Sequence, residues 1–402
     1  MLGTIYVSLS GMKSYSKGLD LISNNVANLN TAGFKAGEAV FSDMLYRNGG
    51  GAVDGAGGAP SGGAGVTVDT TRESFSEGEL RQTGNPLDVA VDGDGFFVIQ
   101  RGEGQVFTRA GQFELDQDGN LIEHTTQDKV LVSTDSAAAT TFNINSYQVS
   151  PAKATTEVDV GGSLGRTGTS TYALSNIDVI DPSGAQQVLS ANFTRDAANP
   201  LLWNVDVSNA DGTVQGSGSI QFADDGTPAS GSSQFDVTVS PTGVSPFALT
   251  FKFGDPGTTA GVTSLSSSTS SQLAVLKQDG VALGTLTGTS FDDLGRVTLK
   301  YSNGQTATPA TLLLARFQAP TELVSLGSSL FAAADQVQPD IAVAQSGGRG
   351  TIVGGSLEMS NVDLTQQFTD LIVLQRGYQA SSQLTSVANE MLEQLLTIGD
   401  HK

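Results

Sequence analysis

The chain has 402 residues carrying 41 acidic and 20 basic side chains, a formal net charge of -21, so most of its surface is negative and neither nucleic acid nor an anionic membrane is an expected partner. It contains no cysteine, which removes disulfides, thiolate nucleophiles and thiolate metal sites together and leaves the redox compartment unread. At ~150 residues per domain the length suggests two or three compact units, and 49 glycines with only 6% aromatic residues suit β-rich units joined by many turns.

From Met1, apolar residues recur every seven positions: Ile5, Met12, Leu19 and Val26 form one line, and Leu2 and Leu9, continued by Ser16 and Ser23, form the next. That spacing predicts an amphipathic helix with a coiled-coil-like seam. Between Asn48 and Val66 lies a run of glycine and alanine with almost nothing to pack, the composition of a flexible linker. From Val66 the pattern changes to short alternating strands punctuated by turns such as Gly84-Asn85-Pro86, Asp118-Gly119-Asn120, Asp181-Pro182-Ser183-Gly184 and Asn303-Gly304. The low-complexity stretch 264–271 (SLSSSTSS) marks a crossing from one β unit back to another, and a second Gly-rich segment, 347–355, precedes the end of the chain. The C-terminal region returns to a seven-residue period, with Leu371, Tyr378, Thr385 and Leu392 on one line and Leu374, Ser381, Ala388 and Leu395 on its neighbour.

The expected fold is therefore mainly β with paired terminal α-helices, a nested multidomain arrangement. Residues 1–30 and 361–402 supply the helices, 31–70 a flexible linker region, 71–158 with 272–360 a middle β domain, and 159–271 an inserted outer β domain. Small residues on the seams (Ser16, Ser23, Ser381, Ala388) allow close approach but bury little apolar area, and a fully buried leucine contributes only ~1.5–3 kcal/mol. Such a helix pair is marginal alone and gains stability when many copies pack side by side. The plainer reading, in which both helices pack on the body of a globular domain, fits the same periodicity.

Four segments resemble flagellar rod, hook and hook-associated axial proteins, in the order in which that family carries them. They are LISNNVANLNTAGFK from Leu21, GNPLDVAVDGDGFFVI from Gly84, VFTRAGQFELDQDGNLI from Val106 and GGSLEMSNVDLTQQFTDLIVLQRGYQASSQ from Gly354. In the first, Asn24, Asn25 and Asn28 stand at a helix end and Gly33, Phe34 and Lys35 complete the motif. In the last, the matching residues include Asn361, Val362, Asp363, Leu364, Gln375, Arg376 and Tyr378. The resemblance covers roughly residues 1–132 and 350–398, and the extra β material between about Val158 and Ser271 favours a hook subunit over a shorter rod subunit. The Gly-rich run 49–65 departs from the family's linker. What the resemblance implies is a homopolymer: a curved, flexible tube that carries motor torque to the filament. Leu2, Ile5, Leu9, Met12, Leu19, Val26, Leu371, Leu374, Tyr378, Leu392 and Leu395 would be its assembly seams. It also implies as partners a distal rod protein, a hook cap, a hook-filament junction protein and the flagellar type III export apparatus, with the protein at the hook and basal body outside the cell surface. Other readings are a distal rod or hook-associated axial protein, or a secreted β-rich adhesin.

Enzymatic chemistry finds little footing. The chain has two histidines, His124 and His401, the second one residue from the terminus, and a Ser-His-Asp mechanism would need one of them. Asp116, Asp118 and Asn120 with Gly119 echo a calcium loop, but its twelfth position is Gln127 rather than a bidentate Glu, so a hairpin turn is expected. Asp92 and Asp94 complete no ligand set, and no residue suggests a cofactor. No stretch reaches the ~20 apolar residues of a membrane span, and the N-terminus lacks a basic region followed by an apolar core, so export without a cleaved signal peptide is expected.

Overall fold

The computed structural model describes residues 2–44, 65–134, 139–241, 243–334 and 337–399, with the side chains of 2, 69, 70 and 395–399 excepted. Most of the Gly-rich run expected as a joint, and His401, lie outside the described residues. The chain divides into two compact units, residues 1–145 with 289–298 and 307–402, and residues 146–288 with 299–306.

In the first unit, helix α1 (Leu2–Ala27) and helix α2 (Leu364–Gly399) come from the two ends of the chain and lie against each other. Short polar side chains set their limits. The Asn28 side chain donates to the Asn24 carbonyl (2.9 Å) and accepts from Thr31 Oγ1 (3.1 Å), closing α1. Gly33 follows at φ 66°, where any Cβ would meet the Ala110 backbone nitrogen. At the start of α2, Asp363 Oδ1 accepts from the Thr365 N–H at 2.7 Å, satisfying a donor that the first turn leaves open.

Strands β1 (Gly37–Asp43) and β2 (Val66–Glu73) pair antiparallel from Gly37↔Glu73 to Asp43↔Val66, so the stretch read from sequence as linker contains a hydrogen-bonded ribbon on either side of the Gly-rich run. The ribbon is fastened to α1: Asn25 exchanges hydrogen bonds with the Gly37 backbone (2.8 and 2.9 Å), and Ser14 Oγ donates to the Val66 carbonyl (3.0 Å).

The β body of this unit is an antiparallel sheet in which Phe96–Arg101 pairs with Gly104–Thr108, and Gly104–Thr108 with Leu330–Ala332. Strand Thr306–Arg316 pairs with Lys129–Ser133 and with Asp340–Val343. Its core is aromatic, with Phe317 set edge-on to Phe107 (4.8 Å between centroids) and Phe96 (5.7 Å). Between Phe113–Leu115 and Leu121–Glu123 lies the acidic turn. Asp116 accepts from the Asn120 backbone N–H (2.7 Å) and side-chain amide (2.8 Å), so its carboxylate is consumed within the hairpin.

The second unit packs two sheets over one core. Strands Thr171–Ile180, Gln186–Arg195, Leu202–Asn209 and Val214–Gln221 form an antiparallel meander. In the third of these, Trp203, Val205 and Val207 alternate inward, as the two-residue period of a strand requires. They meet Phe193, Leu249, Phe251 and Phe253 in a single buried cluster. The second sheet runs Gln234–Val239, Phe247–Lys252, Glu157–Ser163, with Gln272–Gln278 antiparallel to the last. The unit therefore extends beyond 159–271 at both ends, because the strand after the serine-rich stretch closes the sheet beside Glu157–Ser163 rather than leaving it.

Candidate assembly surface

α1 and α2 run antiparallel through one row of residues. The hydroxyls of Ser8 and Thr385 lie 2.9 Å apart, and Asn25 donates to Gln367 Oε1 at 2.9 Å. Between them, Gly11 faces Ser381, Tyr15 faces Gly377, and Gly18 faces Leu374. A methyl group on Gly18 would stand 2.7 Å from Leu374 Cδ1, and one on Gly377 2.6 Å from Tyr15 Cζ, so hydrogen at these positions is what admits the large partner across the interface. Ser8, Gly11, Tyr15, Gly18, Ile22 and Asn25 are spaced 3, 4, 3, 4 and 3 apart, a heptad seam in its own right.

The expected N-terminal seam is offset from this row by one residue, about 100° around the helix. Ile5, Met12, Leu19 and Val26 are half-buried, Leu9 is 56% exposed, and Ser16 and Ser23 are exposed. On α2, Leu371, Leu374 and Leu392 are half-buried and Ala388 is buried, on the side that faces α1, while Tyr378 is 41% exposed. The side chains of Leu2 and Leu395 lie outside the described residues. Sequence reasoning missed Ser8, Gly11 and Gly18, and it named Asn25 as a motif residue without placing it on the seam. Their signal was present as small residues at heptad spacing, hidden by the larger apolar residues one position away.

The motif segments converge where the helices join the β body. Lys35 Nζ and Glu358 Oε1 form an ion pair at 2.6 Å with both side chains 1% exposed, and Arg109 reaches the other carboxylate oxygen at 3.3 Å. Lys35 also donates to the Ser76 carbonyl (2.8 Å), the Gly78 N–H donates to Glu358 (2.9 Å), and Arg109 donates to the Gly93 carbonyl (2.9 Å) while its guanidinium lies 5.0 Å from the Phe96 ring centroid. Burial pulls the Lys35 ammonium below the ordinary lysine range; Glu358 opposes that pull and the neighbouring Arg109 charge adds to it. Asn361 completes the joint, accepting from the Ala36 N–H (2.7 Å) and donating to the Ser74 and Ser76 carbonyls (2.7 and 3.0 Å). Gly33 donates its N–H to the Glu358 carbonyl (2.8 Å), Val362 is buried, and the Asn361 N–H points to the Phe34 carbonyl (3.4 Å). Residues 33–36, 74–78, 109 and 358–361 are thus tied into one rigid knot at the root of the helix pair.

Other motif residues on α2 face away from that knot. Leu364, Gln375 and Arg376 are exposed, as are Phe368, Ile372, Val373, Leu384, Val387 and Met391. Among the described residues no three His, Asp or Glu side chains gather as a metal ion would require, and no helix is long and apolar enough to cross a membrane. His124 lies on the surface, 2.8 Å from Glu114, which raises its basicity through a hydrogen bond and charge. The geometry is that of a joint and a helix pair with uncovered apolar positions, suited to holding copies of a chain together.

Three family models match the chain in succession: flagella basal body rod protein over residues 5–35, flagellar hook protein FlgE/F/G D1 domain over 90–161, and flagellar basal body rod FlgEFG protein C-terminal over 353–398. The chain is 28% identical to the flagellar hook protein FlgE of Treponema pallidum, covering 99% of this chain and 100% of that one. It is 28% identical to the flagellar hook protein FlgE of Escherichia coli, covering 97% and 98%. Among solved structures it is similar to the Helicobacter pylori flagellar hook protein FlgE2, with a TM-score of 0.47 and 12% identity over 69% of this chain and 100% of that one.

Proposed function

We propose that the chain is a member of the flagellar rod and hook proteins and, within them, the structural subunit of the bacterial flagellar hook, acting by polymerisation rather than catalysis. The observation that carries the hook reading is full-length similarity to hook proteins, which extends through the second β unit as well as the shared terminal segments. Its place is the flagellum, at the hook and basal body.

In this reading the terminal helices form the inner wall of the tube, and the β units stand outside it. The seam residues named above, on both helices, are the assembly contacts. A helix with eight large apolar side chains exposed among its described residues in the single chain is unstable as a free surface and gains most by being covered in a polymer. The knot around Glu358 would transmit load from the β body to the helix pair without local unfolding, because each of its charges is held by several partners. Transmission of torque, passage of exported proteins through the tube, export of this chain by the type III apparatus without a cleaved signal, and contacts with a distal rod protein, a cap and a junction protein all follow from the same reading.

Electron microscopy of cells lacking the gene tests it: rods without hooks are expected. Intact hooks would refute the proposal, and loss of the distal rod would favour the rod reading instead.

A further inference from the structure

Each terminal helix carries two heptad seams, and the chain itself uses only one of each. On α1 the engaged row is Ser8, Gly11, Tyr15, Gly18, Ile22 and Asn25, and the row one residue further on (Leu9, Met12, Ser16, Leu19, Ser23, Val26) contains no buried residue. On α2 the engaged row includes Leu374, Ser381, Thr385 and Ala388. The row one residue earlier is Val373, Ala380, Leu384, Val387 and Met391, spaced 7, 4, 3 and 4 apart around Gly377, which is itself half-buried against Tyr15, and its four large side chains are 46–60% exposed. We infer, resting on the hook reading, that the open row of α1 receives the open row of α2 from a second copy of this chain.

The direction of the two offsets decides what kind of contact results. One residue is about 100° on a right-handed helix. Advancing by one on α1 and retreating by one on its antiparallel partner α2 turns both rows in the same rotational sense. Because the two helices face each other, that turn sends the open rows to opposite sides of the helix pair. A row on one side and its complement on the other make a heterologous contact, which passes from copy to copy and excludes a closed two-fold dimer, as a helical tube requires. The remaining faces agree. The row one residue earlier on α1 meets the β1–β2 ribbon through Ser10 and Ser14, which respectively accept from the Val66 N–H and donate to the Val66 carbonyl. The row one residue later on α2 carries the exposed Phe368 and Ile372 at its N-terminal end and is polar from Gln375 onward, through Ser382, Ser386 and Asn389.

Two things on the molecule identify the occupant as a second copy. The open rows adjoin the α1–α2 interface and share its heptad register, so a neighbour's α2 on α1 continues a pairing that the chain already makes. Charge agrees with it: among described residues α1 carries Lys13 and Lys17 against Asp20, whereas α2 carries Asp370, Glu390 and Glu393 against Arg376. α1 and α2 attract, and two α2 helices repel. Both open rows are themselves uncharged, so their burial leaves no unpaired charge.

The absence of native cysteine makes a direct test possible. Ser16→Cys is made in one tagged copy of the chain, and Val373→Cys, Ala380→Cys or Val387→Cys in another. The pairs are co-expressed in cells lacking the native gene, and isolated hooks are oxidised. A disulfide between the two tags at one or more of the three α2 positions is expected, with Ser382→Cys on the polar face remaining monomeric. Absence of any mixed disulfide in hooks that do form, or a Ser16–Ser16 disulfide, overturns the inference. A native chain that forms no hooks in these cells instead defeats the functional reading beneath it. Should the cysteine variants fail to assemble, Leu384→Asp gives the second readout: loss of hooks with an unchanged melting temperature of the isolated subunit is expected, while normal hooks overturn the inference.

Discussion

Glu358→Gln is the sharpest test of the knot beneath the helices. The glutamine keeps the shape and can still accept one hydrogen bond, but it removes the carboxylate that pairs with both Lys35 and Arg109, whose side chains are 1% and 4% exposed. Stripping the partner from a buried charge costs about 3–5 kcal/mol. At ~2–4 °C per kcal/mol for a unit of this size, the first unit should melt roughly 10 °C lower. The loss should also depend on pH. Without Glu358, burial and Arg109 act on Lys35 against the weaker attraction of Glu77 and drive its folded-state pKa further below the unfolded value near 10.5. Between those two values the unfolded chain holds a proton that the folded chain has released, so stability rises with pH in that window. The deficit of the variant relative to the native chain should therefore shrink as the pH is raised from 7 toward 10. Calorimetry at several pH values measures this, and fluorescence of Trp203, the single tryptophan and fully buried in the second unit, assigns which transition moves. A melting temperature within 2 °C of native (roughly 1 kcal/mol), or a deficit constant with pH, would refute the account of the knot.

Three further outcomes are expected. Gly33→Ala places a methyl against the Ala110 backbone at a residue with φ 66°, and should destabilise the first unit by more than ~1 kcal/mol in chemical denaturation; an unchanged midpoint would show that the turn relaxes freely. Asn361→Ala strands the Ala36 N–H and two carbonyls and should cost about 1–3 kcal/mol, whereas Gln375→Ala on the exposed face of α2 should stay within about 0.5 kcal/mol. Burial works against the charge of Asp279, but the N–H groups of Glu157 and Thr156, the Thr156 hydroxyl and the Lys153 ammonium outweigh it and hold the carboxyl well below the usual carboxylate range. Its contribution is present above the unfolded value of 3.8 and is lost as the pH falls through the lower folded value, so acid should weaken the second unit below about pH 4. Asp279→Asn should flatten that slope, and an unchanged acid profile would count against it.

The sequence by itself determined the elements, because their periods are local. Seven-residue spacing at both ends marked α1 and α2, turn signals such as Asp118-Gly119-Asn120 and Asn303-Gly304 marked the limits of the strands, and Asn28 with Gly33 marked the end of α1 through a short-range hydrogen bond and a left-handed turn. It could not choose between two heptad rows one residue apart. By apolar content the row of Ile5, Met12 and Leu19 is the stronger, yet α2 sits on the row of Ser8, Gly11 and Gly18. Close packing is a property of two surfaces together, and the vacancy at Gly18 has meaning only once Leu374 stands opposite it. The return of residues 272–278 to the sheet of the second unit was hidden for a similar reason: strand pairing is settled by a partner more than a hundred residues away, and the serine-rich stretch before it signals a crossing without saying to where. Lys35, Arg109 and Glu358 each stood in a motif segment as an ordinary exposed-type charge. Only the tertiary structure brings them together from both ends of the chain, where exclusion of water makes each charge depend on the other two.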